Sequence, residues 1–249
     1  MALRDWQNAL GQLVEARASG RDLPPVLETL DGLELEEKDR AWLRRVAGTP
    51  GFELTAYVPR WWRHTRVMRS ARFTLAALRE SREEVLRTYL RATPCTTLFF
   101  VSEGLSFLEY VIRTTALPHV RAVAEFEQAL WALRREASSA PSSPQVLSSE
   151  DVLAPHPAAT LVTFDASPEA LLGALLTGSP LPQEPAEPHP VLVAPGLPRM
   201  WRPATSEEAR AFAACAPSAT AGALTALPDV SPEVLSALLA AGALIVRQA

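Results

Sequence analysis

The sequence predicts a mainly α-helical protein, with a helical N-terminal domain followed by a small α+β C-terminal domain. Apolar residues recur at helical spacing through most of the first 136 residues. A stretch rich in Ser and Pro follows, which is too poor in apolar residues to pack. Short apolar runs and three capped helical stretches then complete the chain. These observations predict a helical bundle at residues 1–136, a linker at 137–150 and a second domain at 151–249.

The helices of the N-terminal domain are predicted from amphipathic stripes and from Gly and Pro breaks. Val123, Phe126, Leu130 and Leu133, for example, form one stripe of the last helix. In the basic segment 52–78, Pro59 is predicted to begin a helix that turns Trp61 inward. The predicted helices lie at residues 1–19, 34–47, 82–92, 102–117 and 120–136, in addition to the one that begins at Pro59.

The C-terminal domain is predicted to contain three short strands, a helix at residues 168–176 and three further helices. Residues 161–164, 191–194 and 200–202 form the strands, and Pro195-Gly196 suits a type II turn between the last two. Helices are predicted from a cap at Ser206, over 220–227, and over 232–241 with a cap at Ser231. Residues 244–247 are a possible last strand. A β-ribbon backed by three helices is the plan of a winged-helix-like recognition module.

Composition restricts the class of protein. The 249 residues are 48% hydrophobic and 21% charged, which is typical of a globular chain with a core. No apolar run reaches the roughly 18 residues of a membrane span, and the N-terminus lacks the apolar core of a signal peptide, so we expect a cytoplasmic protein. Cys95 and Cys215 are the only cysteines and are expected to be buried thiols. The histidines show no metal-ligand spacing, so no metal site is expected.

Charge is unevenly distributed along the chain. Residues 1–136 carry 20 Lys and Arg against 18 Asp and Glu, whereas residues 137–249 carry 4 against 10. The second part therefore has a net charge of −6. Because affinity for phosphate comes mostly from Lys and Arg, this acidic part is a poor nucleic-acid partner.

Few residues are candidates for catalysis. Glu125 and Glu127 flank Phe126, but side chains two residues apart on a helix do not face one another. We expect one of the two to be buried against an arginine. The sequence contains no nucleotide-binding glycine motif and no nucleophile motif, so no catalytic residue is predicted.

The predicted peptide-binding site is the free side of the strand at residues 200–202. An extended peptide could add to such an edge by β-augmentation, and the helix at 232–241 would supply an apolar wall. Trp201 is the expected anchor for a peptide side chain. The alternative is an edge covered by the chain itself. The predicted peptide-binding residues are Met200, Trp201, Arg202, Leu235, Leu238 and Leu239.

The predicted partner-binding surface lies on the arginine-rich helix. Arginines that recur every three residues drift by about 60° per step on an α-helix, so they spiral around it instead of forming one basic rail. Arginines interleaved with aromatic residues favour a protein partner over nucleic acid. The alternative is a solvated helix whose tryptophans belong to the core. The predicted partner-binding residues are Tyr57, Arg60, Trp62, Arg63, Arg66 and Arg69.

The order of several segments resembles a known family. These segments are the arginine-rich helix after Tyr57, Tyr89-Leu90-x-x-Thr93-Pro94, Phe126-Glu127-x-Ala129-Leu130, and the stretch that runs from Val191 to Leu197. The family, long labelled a DNA-binding domain, is that of partner proteins for multinuclear non-haem iron-dependent oxidases that modify ribosomally made peptides. The resemblance implies a heterodimer with the oxidase and a C-terminal domain akin to a RiPP recognition element, which binds the leader of the precursor peptide. It also implies no cofactor in this chain, since the iron belongs to the oxidase.

The second reading of the sequence is a DNA-binding winged-helix regulator. Such a protein is expected to carry Arg and Lys on its third helix. Residues 232–241 contain neither. The sequence therefore favours a non-catalytic peptide-binding partner subunit.

Overall fold

The computed structural model describes residues 3–94, 100–136, 147–182 and 187–247. It is mainly helical, as predicted, with short β-strands in the C-terminal part. The chain divides into two compact units: Met1–Arg72 with Arg79–Tyr110, and Phe73–Leu78 with Val111–Ala249. The predicted linker at 137–150 lies largely outside the described residues.

The first part of the chain is a succession of helices. Leu13, Leu30, Leu43 and Phe52 are buried together in the core of the first unit. A single turn of 3₁₀ helix follows the second helix, and another precedes the sixth. The helices are α1 (Leu3–Ala18), α2 (Leu23–Thr29), α3 (Glu37–Ala47), α4 (Pro50–Ser70), α5 (Arg72–Leu78), α6 (Arg82–Ala92) and α7 (Phe100–Thr114).

Helix α4 begins nine residues earlier than predicted. Thr49 is its N-cap and accepts a hydrogen bond from the Phe52 amide, with Pro50 at the first helical position. This is a standard start signal, but the sequence was interpreted to begin the helix only at Pro59. Pro59 consequently lies inside α4, where it removes one helical hydrogen bond.

The second unit contains two antiparallel three-stranded sheets. One has the order β2-β3-β4 and the other β5-β1-β6. In the first sheet Leu192 lies opposite Leu161 on one side and Arg202 on the other. The strands are β1 (Val152–Pro155), β2 (Thr160–Phe164), β3 (His189–Val193), β4 (Trp201–Pro203), β5 (Ala219–Thr220) and β6 (Leu244–Val246).

The three predicted strands are present and form the first sheet in the expected order. The possible strand at 244–247 is also present but belongs to the second sheet. β1 and β5 were not predicted. β1 is four residues long and ends in proline, and β5 has two residues, so neither carries a periodic signal.

Helices α10 (Ser206–Ala214), α11 (Ala221–Thr225) and α12 (Pro232–Ala240) follow the first sheet. The cap of α10 is Thr205 and not Ser206. Its side chain accepts from the Glu208 amide, and the Glu208 carboxylate accepts from the Thr205 amide, which completes a capping box. At the other end of the series, Gly242 adopts a φ of 66° just after α12. It gives a Schellman ending, in which the Gly242 amide donates to Leu239 and the Ala243 amide donates to Leu238, and glycine is the usual residue at this position.

The second unit also contains α8 (Pro118–Glu136) and α9 (Pro168–Thr177). The predicted domain boundary left α8 with the N-terminal helices. Phe126 of α8, however, packs edge-to-face against Phe164 and Trp201 of the first sheet. Glu127 accepts hydrogen bonds from the amides of Phe73 and Thr74. These contacts explain why α8 and residues 73–78 belong to the second unit.

Within the described ranges, no helix combines the length and the apolar character that a membrane crossing requires.

Candidate functional site

The edge strand β4 has backbone groups that point away from its neighbour. The Ala194 amide donates to the Met200 carbonyl at 3.0 Å, and Val193 lies opposite Trp201. This pattern makes Trp201 a non-hydrogen-bonded position of the antiparallel pair. Its N–H and C=O therefore face outward. Neither has a partner among the residues that the structure describes.

The rest of the β4 edge is less available. Pro203 has no N–H, and its carbonyl accepts a hydrogen bond from Nη1 of Arg202 at 2.9 Å. Proline on an edge strand is a common means of restricting strand pairing. A guest strand would therefore find its principal pair of backbone hydrogen bonds at Trp201.

The Trp201 side chain is half-buried against α8. Its ring meets Phe126 at a centroid separation of 5.5 Å and an interplanar angle of 89°. This edge-to-face contact holds the ring on one face of the sheet. The sequence predicted a free anchor for a peptide. The structure instead places Trp201 partly in the core, with only the remainder of its surface available to a ligand.

Arg202 lies on the opposite face of the sheet and is engaged by α10. Its guanidinium donates two hydrogen bonds to the carboxylate of Glu208, one of them at 2.7 Å. The bond to Glu208 raises the pKa of Arg202, and the bond from Arg202 lowers the pKa of Glu208. Arg202 thus ties β4 to α10 and is not a free cation for a peptide carboxylate.

Met200 precedes β4 in a left-handed conformation, with a φ of 64°. Its amide donates a hydrogen bond to the Leu197 carbonyl at 2.9 Å, and its carbonyl accepts one from the Ala194 amide. Both backbone groups are therefore used by the turn that joins β3 to β4. Met200 shapes the turn but offers no backbone group to a guest strand.

The prediction that three leucines of α12 form an apolar wall for a peptide is wrong for two of them. Leu235 and Leu238 are fully buried in the core of the second unit, together with Leu192 and Leu153. Leu239 is half-buried against the same cluster. The reason is that α12 packs on α10 and β6, and this packing consumes its apolar stripe. Of the predicted wall, Leu239 alone has accessible surface.

The predicted partner surface on α4 is largely exposed. Tyr57 and Trp62 are 57% and 48% exposed, and Arg60 and Arg69 also face solvent. Arg66 is half-buried and interacts within the chain. Trp61, predicted to face the core, is 46% exposed. The described surface is therefore more apolar than the sequence indicated.

Arg63 does not belong to this surface. It is 2% exposed and lies 2.9 Å from the buried carboxylate of Glu103. It also donates to the carbonyls of Leu90 and Thr93. The prediction that Arg63 belongs to the partner-binding surface is therefore wrong, because Arg63 lies on the side of α4 that packs against α6 and α7.

Tyr89 completes the buried network around Arg63. Its hydroxyl donates to the Glu103 carboxylate at 2.8 Å, and its ring meets Phe107 edge-to-face with a centroid separation of 5.2 Å. Burial, and then the charge of Glu103, raise the pKa of Tyr89. The hydroxyl is therefore held in its neutral form as a hydrogen-bond donor. This network connects α4, α6 and α7 and has a structural role.

Exposed apolar residues that the sequence analysis missed occupy the outward face of α4. Leu54 and Val58 are exposed in line with Trp61, at helical spacing. On the opposite face Phe52, Ala56, Arg63 and Val67 are buried. The available signal was that α4 carries large apolar residues on both faces, which is typical of a helix that packs on two sides.

Glu125 and Glu127 have different surroundings. Glu127 is buried, and its oxygens lie 2.8 and 2.7 Å from the amides of Phe73 and Thr74, so it caps the N-terminus of α5. Burial raises the pKa of Glu125. The predicted burial of one of the two is confirmed, whereas its predicted pairing with an arginine stays a prediction. Its described partners include backbone amides, which the sequence analysis did not foresee.

The remaining candidates are the two cysteines and possible metal ligands. Cys215 is buried, and burial raises the pKa of its thiol, as expected of a structural cysteine. Cys95 lies outside the described residues. No group of three or more His, Cys, Asp or Glu side chains in the described ranges is arranged to hold a metal ion.

Fold and site together describe a helical protein with a partly open sheet edge and an exposed apolar helix face. Comparison of the chain with protein-family models and with curated proteins found no match.

Proposed function

We propose that this chain is a non-catalytic partner subunit that holds an extended peptide on β4 and docks on a second protein through α4. The resemblance of the sequence to partner proteins of iron-dependent oxidases indicates the identities of both ligands. The peptide would be the leader of a ribosomally made precursor, and the second protein a multinuclear non-haem iron oxidase. Iron would then be bound by that enzyme.

The observation that carries the proposal is the outward N–H and C=O of Trp201. An unpaired donor and acceptor at one residue of an edge strand can form two hydrogen bonds with one residue of an added strand. Holding the leader in this way raises the effective concentration of the peptide's core beside the enzyme. No reacting group in this chain is needed for that role.

Recognition of side chains on this edge would be mainly apolar. The accessible part of the Trp201 ring lies on one face of the sheet, and the guanidinium of Arg202 on the other is neutralised by Glu208. An acidic side chain of the peptide therefore has no free cation at Arg202. We expect aromatic or aliphatic residues in the peptide at the position beside Trp201.

A DNA-binding function is less compatible with α12. If the chain used a winged-helix mode, α12 would be the helix that enters the major groove. Its exposed residues are acidic, small or proline: Pro232, Glu233, Ser236, Ala237 and Ala240. None of them can neutralise a phosphate.

The test is amide hydrogen exchange at β4 with and without the peptide. Co-expression with the products of neighbouring genes would identify the peptide, and the isotope-labelled chain would then be titrated with it. The Trp201 amide should exchange readily in the free chain and become protected in the complex. The Arg202 amide, which faces β3, should be protected in both states and provides the internal control.

Two results would contradict the proposal. One is tight capture of the peptide with no change in exchange at Trp201, because the peptide would then be bound elsewhere. The other is specific binding of duplex DNA that weakens steeply as salt rises, which would favour the regulator.

A further inference from the structure

Helices α4 and α6 border an open groove of about 420 Å³ in the first unit. Leu86 and Leu90 of α6 form its buried apolar floor. Tyr57 and Trp61 of α4 form one wall. The groove lies outside the β4 edge and shares only Tyr57 and Arg60 with the partner residues predicted from the sequence.

The wall of the groove continues into a larger apolar surface. Leu54, Val58 and Trp62 are each about half exposed or more, and they lie on the same side of α4 as Trp61. The rings of Trp61 and Trp62 meet at 4.9 Å. Contiguous exposed apolar residues of this kind mark interaction sites more often than isolated ones do. Their helical spacing matches a helix packed along α4.

Charge at the rim of the groove indicates the chemistry of the occupant. Arg60 and Arg87 line it, and neither has an acidic partner among the described residues. Glu83, the acid in the lining, pairs with Arg82 at 3.2 Å. The imidazole of His64 also lines the groove. The rim is therefore cationic around an apolar floor.

We infer that this groove binds an acidic amphipathic helix of a protein partner. Apolar side chains of that helix would cover Trp61 and enter the groove, and flanking carboxylates would pair with Arg60 and Arg87. Arginine pairs well with carboxylates at interfaces because its planar fork donates two parallel hydrogen bonds. The inference rests on the part of the proposed function that gives the chain a protein partner, and not on the β4 edge.

Nucleic acid fits the same surface less well. Aromatic rings and arginines could stack on unpaired bases. However, Arg63 is buried against Glu103, Arg17 is paired with Glu53, and Lys38 is the single lysine of the chain. The groove lining itself contains two arginines together with the acid Glu83, which suits a pair of carboxylates better than the repeated phosphates of a nucleic-acid backbone.

The experiment uses the full chain and three fluorescent probes. The first is a synthetic helical peptide with leucines at i, i+3, i+4 and i+7 and glutamates on both flanks. The second has lysines in place of the glutamates, and the third is a single-stranded oligonucleotide. Binding is measured by anisotropy, and the intrinsic tryptophan emission is followed in parallel for the unchanged chain and for Trp61→Ala, because the chain has six tryptophans. We expect the glutamate peptide to bind most tightly of the three and to shift the tryptophan emission to the blue.

Variants locate the site. Arg60→Glu and Arg87→Glu should each weaken the glutamate peptide by at least about tenfold, as should Trp61→Ala. Arg4→Glu is the matched control, because Arg4 is exposed in α1 and outside the groove lining. It should leave the affinity unchanged. Circular dichroism of each variant establishes that it is folded.

Several outcomes would overturn the inference. These are equal binding of the two helical peptides, preference for the oligonucleotide, failure of the glutamate peptide to bind at millimolar concentration, and insensitivity to the groove variants. Self-association that Trp61→Ala abolishes would assign the surface to a second copy of the chain. The β4 proposal is tested separately, by exchange at the Trp201 amide with the precursor peptide, so failure at the groove leaves the β4 proposal standing and the reverse also holds.

Discussion

The amide of Gly196 donates a hydrogen bond to the carbonyl of Ala241 at 2.9 Å. Gly196 lies in the turn between β3 and β4, and Ala241 is the C-cap of α12. The two backbones approach so closely that a Cβ on Gly196 would lie 2.7 Å from the Ala241 carbonyl carbon. This contact fixes the start of the candidate peptide edge against the end of α12.

Gly196→Ala is therefore expected to destabilise the second unit by about 1–3 kcal/mol, because backbone atoms must move to admit the methyl group. The measurement is the free energy of unfolding in urea. Gly173→Ala is the control: it lies within α9, and a Cβ there meets no atom within 4 Å. It should stabilise the chain by about 0.5–1 kcal/mol. Equal effects of the two substitutions would argue against the close approach.

Glu125 and Glu127 should respond in opposite ways to loss of charge. Glu127→Ala removes the carboxylate that accepts hydrogen bonds from the amides of Phe73 and Thr74. We expect the free energy of unfolding, measured in urea, to fall by about 1–3 kcal/mol.

Burial raises the pKa of Glu125. The stability that this group contributes is therefore present at a pH below the ordinary glutamate pKa and is lost as the pH rises through the raised pKa. Glu125→Gln should consequently raise the melting temperature at pH 7 and have less effect near pH 4. A lower melting temperature for Glu125→Gln at pH 7 would contradict this assignment.

The Arg202–Glu208 pair is expected to make the thermal stability of the chain depend on pH. The bond from Arg202 lowers the pKa of Glu208, so the stabilisation is present above the ordinary value of about 4.3 and is lost as the pH falls through the lowered value. Glu208→Gln keeps an acceptor for the capping box but removes the charge. Thermal melts between pH 7 and pH 3 should show a lower melting temperature for the variant at pH 7 and a smaller difference at pH 3. A constant difference across this range would refute the electrostatic role of Glu208.

The buried Arg63–Glu103 pair should be among the most sensitive positions of the first unit. Arg63→Ala leaves the Glu103 carboxylate buried without its cation, and the expected loss is about 3–5 kcal/mol. The double variant Arg63→Met with Glu103→Leu removes both charges, so its free energy of unfolding should fall by less than that of Arg63→Ala. For comparison, Arg17→Ala breaks an exposed pair with Glu53 and should cost no more than about 1 kcal/mol. Urea denaturation distinguishes these cases, and a small effect of Arg63→Ala would mean that Arg63 is accessible to solvent.

Met200 allows a test of the turn that is separate from the edge. Its φ of 64° suits glycine and excludes proline. Met200→Gly should retain the fold and the exchange behaviour of Trp201. Met200→Pro should lower the melting temperature, because it also removes the hydrogen bond to Leu197. A folded Met200→Pro variant with an unchanged melting temperature would disprove the left-handed conformation.

Local signals predicted much of the helical framework. The bounds of α6 agree with the prediction, because an acidic first turn and a Thr-Pro break delimit it in the sequence. The strands of the first sheet were also found where short apolar runs predicted them. The start of α4 was missed because Thr49-Pro50 is equally consistent with the end of one helix and the beginning of the next.

The candidate sites were predictable only in part. The edge at Trp201 followed from the order of the apolar runs. The burial of Leu235 and Leu238 did not, because an amphipathic stripe does not say whether a helix of its own chain or a ligand covers it. The groove between α4 and α6 requires side chains that are about thirty residues apart in the sequence.

By itself, the sequence determined the helical class, the strands of the first sheet and the cap at Ser231, since these depend on interactions between residues a few positions apart. Tertiary structure alone decided which of the arginines on α4 is buried, because only packing brings Glu103 beside Arg63. It likewise decided that Trp61 faces solvent and that α8 joins the C-terminal unit. These outcomes depend on contacts between distant segments, and the free energy of those contacts is not encoded in local periodicity.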